Sequence, residues 1–300
     1  MNLTVETFDL LTNNKYETLS LQRQNANGGV KKLTFEDIDT LRRYPHYDAI
    51  TILGLQQDTF EYFIEKYAPH FKAIRFCQNR DVLDWSSLGK LENIEFLDMF
   101  SNHGMTSLWD MSENDSLKAL SIGNSPKLHS IVGIEKAPAL RRFELGEVRD
   151  ATTVIDTFAP LSGTKIEYLS FAGKKIENCD LAFLRNMPSL KHFDFPTNLF
   201  TVEQIAWIVA NFPHLEGYAL CAKIDAFGWN EETHTMNVPY TLIVGKRKPF
   251  LMNEGNEAKI KRYIDRFDQL VEFYIFVYCL HPKQDLFPYP FLFALIFSLM

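Results

Sequence analysis

LKALSIG (117–123) and LRRFELG (140–146) are one phrase written twice: an apolar residue, two others, a second apolar residue, one other, then a third. Working outward, the same spacing is met at Ile94, Leu97 and Met99, at Phe71, Ile74 and Phe76, and at Tyr47, Ile50 and Ile52. Tyr16, Leu19 and Leu21 make the first copy. On the other side come Ile166, Leu169 and Phe171, then Leu190, Phe193 and Phe195, then Leu215, Tyr218 and Leu220. After the first pair the nine copies start every 23 to 26 residues, and three successive intervals are 23. A fixed period of this length marks stacked supersecondary units, each needing its neighbours to bury its apolar side.

Side chains alternate faces along a strand, so the second and third apolar positions point into a core and the residues between them point away. The phrase L-x-x-L-x-L resembles the leucine-rich repeat, and the resemblance covers about residues 16–224. It implies an α/β solenoid: a curved horseshoe with a parallel β-sheet on the concave face, helices and turns on the convex face, and a helical C-terminal cap. In that family an Asn or Cys three positions after the last apolar residue bonds the turns of adjacent coils. Asn79, Asn102 and Asn198 stand there, whereas Leu55, Val148, Lys174 and Lys223 do not. Pro45, Pro69, Pro138, Pro188 and Pro213 each stand two residues before the first apolar position, where proline ends the preceding segment. Helices are expected over 34–44, 58–68 and 201–212, the last opened by a capping box of Thr201 and Gln204. The central coils carry pieces too short for more than a turn or two.

The expected organisation is a repeat body over 1–224, with nine repeats from about residue 16 and an N-terminal cap that is a strand or short helix. A capping region follows over 225–274, with a strand and turn at 240–251 and an amphipathic helix at 256–274. That helix carries Ile260, Tyr263, Ile264, Phe267, Leu270, Val271 and Tyr274 on one face. Residues 225–238, with Trp229 and His234, read as a loop. Residues 275–300 form an apolar, aromatic tail that either packs on the cap or is disordered. Its longest uncharged run, 286–300, is 15 residues and holds Pro288 and Pro290 near its start. A membrane-spanning helix needs roughly 20 apolar residues, so this is a poor span.

Lys and Arg number 31 against 38 Asp and Glu, a net charge of −7 in 300 residues, which argues against nonspecific nucleic-acid binding and favours basic partners. The four cysteines have no C-x-x-C spacing, so neither a zinc pattern nor a disulfide framework is written, and MNLTVETFDL has no signal-peptide character. A cytoplasmic protein is expected.

No catalytic constellation is legible. There is no H-E-x-x-H and no G-x-S-x-G, and Gly245-Lys246 lacks the other residues of a phosphate loop. Lys246, Arg247 and Lys248 read as a solvated turn. The outward strand positions carry more information. Phe96, Phe100 and Tyr168, with Asp98, Glu144 and Asp194 among them, form an aromatic and acidic patch flanked by Arg142 and His192, beside the small residues Gly123, Gly146 and Ala172. Arg75 and Arg142 are expected to pair across strands with Asp98 and Glu144. The expected function is a non-catalytic interaction module that binds a protein partner, basic where it meets this patch, on the concave face, with no cofactor, metal or nucleic acid. Two alternatives stand beside it: a peripheral membrane protein using 286–300, and an enzyme or regulator with an unrecognised site near 225–256.

Overall fold

The computed structural model describes residues 2–7, 17–147, 152–231 and 233–280, the backbone alone for 2–7 and 278–280. The chain divides into two compact units, residues 1–190 and 191–300.

In the first unit the apolar-x-apolar core of each phrase becomes a short strand. These seven are β2 (Glu17–Gln24), β4 (Ala49–Leu53), β5 (Ala73–Cys77), β6 (Phe96–Phe100), β7 (Ala119–Gly123), β8 (Arg142–Gly146) and β10 (Tyr168–Ala172); β1 (Asn2–Thr7), β3 (Val30–Lys31), β9 (Val154–Thr157) and β11 (Lys175–Asn178) lie outside the phrases. β2, β4, β5, β6, β7, β8 and β10 form one parallel run in that order. β1 closes its end as an antiparallel neighbour of β2, so the expected N-terminal cap is a strand. Register follows the repeat: Leu97 pairs with Ile74 and with Leu120, and Leu120 pairs with Phe143. The apolar residues of the copies paired in this sheet therefore stack in columns, and Ile50, Ile74, Leu97, Leu120, Phe143 and Leu169 are all fully buried. β9 and β11 add a separate two-stranded parallel ladder, which the repeat spacing does not predict.

The segments between strands differ along the unit. α1 (Phe35–Asp39) and α2 (Gln57–Lys66) are helices, the first held by a capping box in which the Thr34 N–H donates to Asp37 Oδ2 at 2.8 Å. Further on only 3₁₀ turns fit, at Ser86–Lys90, Ile134–Lys136, Ala159–Leu161 and Leu181–Asn186. Aromatic residues fill the space inside: Phe60, Phe63, Phe76 and Trp85 meet edge to face, with ring centroids 5.0–6.1 Å apart.

Two asparagines form rungs between coils. Asn79 donates from Nδ2 to the Ile52 carbonyl at 3.2 Å and accepts at Oδ1 from the Leu55 N–H at 2.8 Å. Asn102 repeats this one coil later, donating to the Phe76 carbonyl at 2.8 Å and accepting from the Asn79 N–H at 3.0 Å. Both are fully buried. Asn198 is exposed and makes no such rung, while Val148 lies outside the described residues. A left-handed residue ends each strand from β4 to β8: Gly54 (φ 84°), Gln78 (φ 55°), Ser101 (φ 57°), Asn124 (φ 46°) and Gly146 (φ 96°).

The second unit begins with β12 (His192–Asp194) and α3 (Val202–Asn211). α3 opens with the expected capping box: the Thr201 N–H donates to Gln204 Oε1 at 2.9 Å, and the Gln204 N–H to Thr201 Oγ1 at 3.3 Å. The ninth phrase forms no strand. The chain turns at Gly217–Leu220, so Ala219 is buried and Tyr218 is 54% exposed, the reverse of the expected facing. A Cβ on Gly217 would lie 2.2 Å from the Phe193 carbonyl oxygen, and only glycine allows this approach.

Residues 225–238 are not a loop. β13 (Lys223–Asn230), β14 (Thr235–Ile243) and β15 (Phe250–Met252) form an antiparallel sheet, with a register shift between Gly228 and Trp229. Gly228 makes room for the Tyr240 ring, which itself stacks on Phe250 at 4.6 Å. α4 (Glu257–Leu280) packs on α3 and β14, burying Phe267, Leu270 and Tyr274 of the predicted face. It runs six residues past the expected end at 274, through 275–280. Residues 281–300 of the expected tail lie outside the described residues.

Candidate partner-binding face

Six of the eight predicted site residues fall on one face of the parallel sheet in the first unit. β6 contributes Phe96, Asp98 and Phe100, β8 contributes Arg142 and Glu144, and β10 contributes Tyr168. All six are half-buried, alternating with fully buried neighbours. Register sets their neighbours: Asp98 stands opposite Arg75 on β5 and Ser121 on β7, and Ser121 stands opposite Glu144. Tyr168 stands opposite Arg142.

The side chains are mutually supported. Phe96 lies on the buried alanines Ala49, Ala73 and Ala119, which occupy the outward column of β4, β5 and β7. These small residues give the ring a flat bed rather than an open space. Phe100 lies over Gly123 so closely that a Cβ there would be 3.0 Å from its ring. The space beside Gly123 is therefore filled by Phe100 itself.

Each arginine of the face is paired with a carboxylate and stacked on a ring. Arg75 Nε lies 3.1 Å from Asp98 Oδ2, and its guanidinium carbon is 5.8 Å from the Phe100 centroid. Arg142 Nε donates to Glu144 Oε1 at 2.6 Å, and its guanidinium carbon sits 4.0 Å over the Tyr168 ring. The first pair crosses strands as expected. The second does not: Arg142 and Glu144 are two residues apart on β8, on the same face, and the guanidinium stays with Tyr168 on the neighbouring strand. The two arginines and the two carboxylates balance in charge around the aromatic rings. Asp98 has the most unusual environment. Burial pushes its carboxyl up to about 6, which Arg75 opposes and the nearby Glu144 charge reinforces.

The other two predicted residues belong to the second unit, on β12. His192 Nε2 lies 2.8 Å from Asp194 Oδ2, and Asp194 Oδ1 accepts from the Tyr218 N–H at 3.1 Å. This arrangement ties Asp194 to the turn that replaces the ninth strand.

In the 225–256 region the sheet exposes Phe227, Trp229, Met236, Phe250 and Met252, each about half exposed or more. The register places Phe227, Trp229 and Met236 on one face of this sheet and Phe250 and Met252 on the other. The reading of 225–238 as a loop concealed it. The available signal was the alternation of residues along 223–230. Lys246 and Arg247 are exposed in the turn between β14 and β15, and Lys248 Nζ lies 5.4 Å from the Tyr263 ring centroid.

Among the described residues no group of three or more His, Cys, Asp or Glu side chains is placed to hold a metal ion, and no helix is long and apolar enough to cross a membrane. Residues 286–300, the basis of the membrane alternative, lie outside the described residues. Compared with protein-family models, with curated proteins and with solved structures, the chain matches none.

Proposed function

We propose that the chain is a leucine-rich-repeat solenoid, a curved horseshoe whose parallel sheet lines the concave face, acting in the cytoplasm as a non-catalytic module that binds a protein partner there. The repeat reading is supported by the in-register parallel strands, the two asparagine rungs and the left-handed residue that ends β4 to β8. The absence of C-x-x-C spacing among the four cysteines agrees with a reducing compartment.

One observation carries the binding reading: the two arginine–aromatic stacks, Arg75 on Phe100 and Arg142 on Tyr168, are half-exposed on one sheet face. Arginine and aromatic residues dominate the energetics of protein interfaces, because the rings cover a large area with few rotamers to freeze and the planar guanidinium both stacks and donates several hydrogen bonds. Their carboxylate partners orient the guanidinium groups without quenching the rings. The partner fitting this face offers an apolar anchor for Phe100 and Tyr168, with a Lys or Arg beside it for Asp98.

A pull-down from native lysate with the wild-type chain and with Phe100→Ala, Tyr168→Ala tests this. Neither ring is part of the buried core, so circular dichroism should be unchanged. A protein retained by wild type should bind the double variant about 100-fold more weakly, the effect of two interface anchors. Equal retention of all captured proteins by both forms rejects the face as the binding surface.

A further inference from the structure

A cleft of about 360 Å³ opens in the first unit where β3 meets the loops leaving β4 and β5, at the carboxyl ends of the parallel strands. Its volume is in the range of small-ligand sites, roughly 300–1,000 Å³. Three basic residues line it, Lys31, Lys32 and Arg80, against the single acid Asp81. Asp81 is already engaged, with Lys32 Nζ 2.8 Å from its Oδ2. Lys31 and Arg80 are exposed, and neither has an ion-pair partner among the described residues. The cleft thus holds three positive charges and one negative in a chain whose net charge is −7.

The floor is rigid by construction. Gly54 is left-handed and lies so close to β3 that a Cβ would stand 2.2 Å from the Lys31 carbonyl oxygen. The Leu33 N–H donates to the Gly54 carbonyl at 2.8 Å, and the buried Asn79 side chain accepts from the Leu55 N–H at 2.8 Å. Gln78, also left-handed, lines the opposite wall; its N–H is used by the Phe100 carbonyl at 2.9 Å. A fixed floor under two uncompensated cations pays little reorganisation cost on binding. A lysine and an arginine that converge on one cavity recognise carboxylate or phosphate oxygens.

We propose that this cleft is a binding site for a small anionic ligand, carrying phosphate or clustered carboxylate groups, held between Lys31 and Arg80. It is independent of the sheet face, which Lys31 and Arg80 do not join.

Isothermal titration calorimetry on the full chain, with pyrophosphate and separately with citrate at about 20 mM salt, tests it. At least one probe should bind saturably at one site per chain, and binding should weaken as salt rises. Pyrophosphate alone points to a phosphate ligand, citrate alone to a polycarboxylate. Lys31→Glu, Arg80→Glu should abolish binding. The milder Lys31→Gln, Arg80→Gln should weaken it at least tenfold and guards against misfolding of the charge reversal. Lys118→Gln, which removes a lysine paired with Glu95 elsewhere on the unit, should leave affinity unchanged. Absence of saturable binding by both probes overturns the proposal. So does binding that survives the Gln double variant, or that falls equally in Lys118→Gln.

Discussion

Asp98 is where the chemistry of a single residue bears most on the sheet face. Its carboxyl is pushed up to about 6 from an ordinary 3.8, with burial the largest cause. A raised carboxyl pKa means that the folded state binds the proton more tightly than the unfolded chain does. The favourable contribution is complete below pH 3.8, is lost as pH rises to about 6, and stays lost above that. A gap of about two pH units corresponds to ~3 kcal/mol between the extremes. Asp98→Asn removes the titration, so its stability relative to wild type should rise by up to ~3 kcal/mol between pH 4 and pH 6.5 and then level off. Urea unfolding of both chains across that range reads this directly, and a pH-independent difference between them means that Asp98 is not desolvated. A partner lysine or arginine placed at Asp98 lowers its pKa again. Complex formation near pH 6 should therefore release a proton, and affinity should increase from pH 5 to pH 7. Calorimetry in buffers of different ionisation enthalpy counts that proton, and a count of zero separates the partner's cation from Asp98.

At the scale of the element, the junction between strand and turn holds the coils together. Asn102 satisfies the Phe76 carbonyl and the Asn79 N–H of the adjacent turn. Asn102→Ala leaves both groups buried without partners, which should cost about 2–4 kcal/mol. Asn198→Ala removes an exposed side chain and should stay within about 0.5 kcal/mol. Thermal or urea denaturation decides between them, and similar losses in the two variants contradict the rung. Both asparagines have the same sequence spacing, which is why spacing alone could not separate them. What differs is the chain that follows. After Asn102 a tight turn follows, whereas Asn198 precedes α3, whose cap Thr201 stands three residues later. The same limit explains the ninth phrase. Leu215, Tyr218 and Leu220 keep the spacing, but the strand needs a continuing coil, and the chain turns instead toward β13. Strand positions and their facing in the regular copies were legible because period-two alternation against one core leaves a single solution. The β13–β14 hairpin was not, because Gly228, Pro239 and the polar residues between the strands resemble a loop when cross-strand stacking on Tyr240 cannot be seen.

For the parallel unit as a whole, the order of strands in the sheet follows their order in the chain, so each strand from β4 to β7 pairs only with the strands just before and after it in that run. The candidate face inherits this arrangement. The sequence showed which residues face outward, but not that Arg142 would choose Glu144 along its own strand and Tyr168 across, because such choices depend on side-chain reach between coils. Locality of pairing also governs how damage spreads. In a body built from neighbour contacts, stability is a sum of unit and interface contributions, and local openings need not cross the whole sheet. Phe143 on β8 is fully buried, and its truncation to alanine should cost about 3–5 kcal/mol. Hydrogen exchange in Phe143→Ala should lose protection most at β7, β8 and β10, where Leu120 and Leu169 are its paired neighbours. The amides of β4, with β5, β6 and β7 lying between it and β8, should keep most of theirs. A uniform loss from β4 to β10 would mean that the sheet opens as one cooperative body. The face on β6, β8 and β10 would then be no more pliable than the rest, whereas a graded loss lets its strands adjust to a partner while the asparagine rungs at β4 to β6 stay closed.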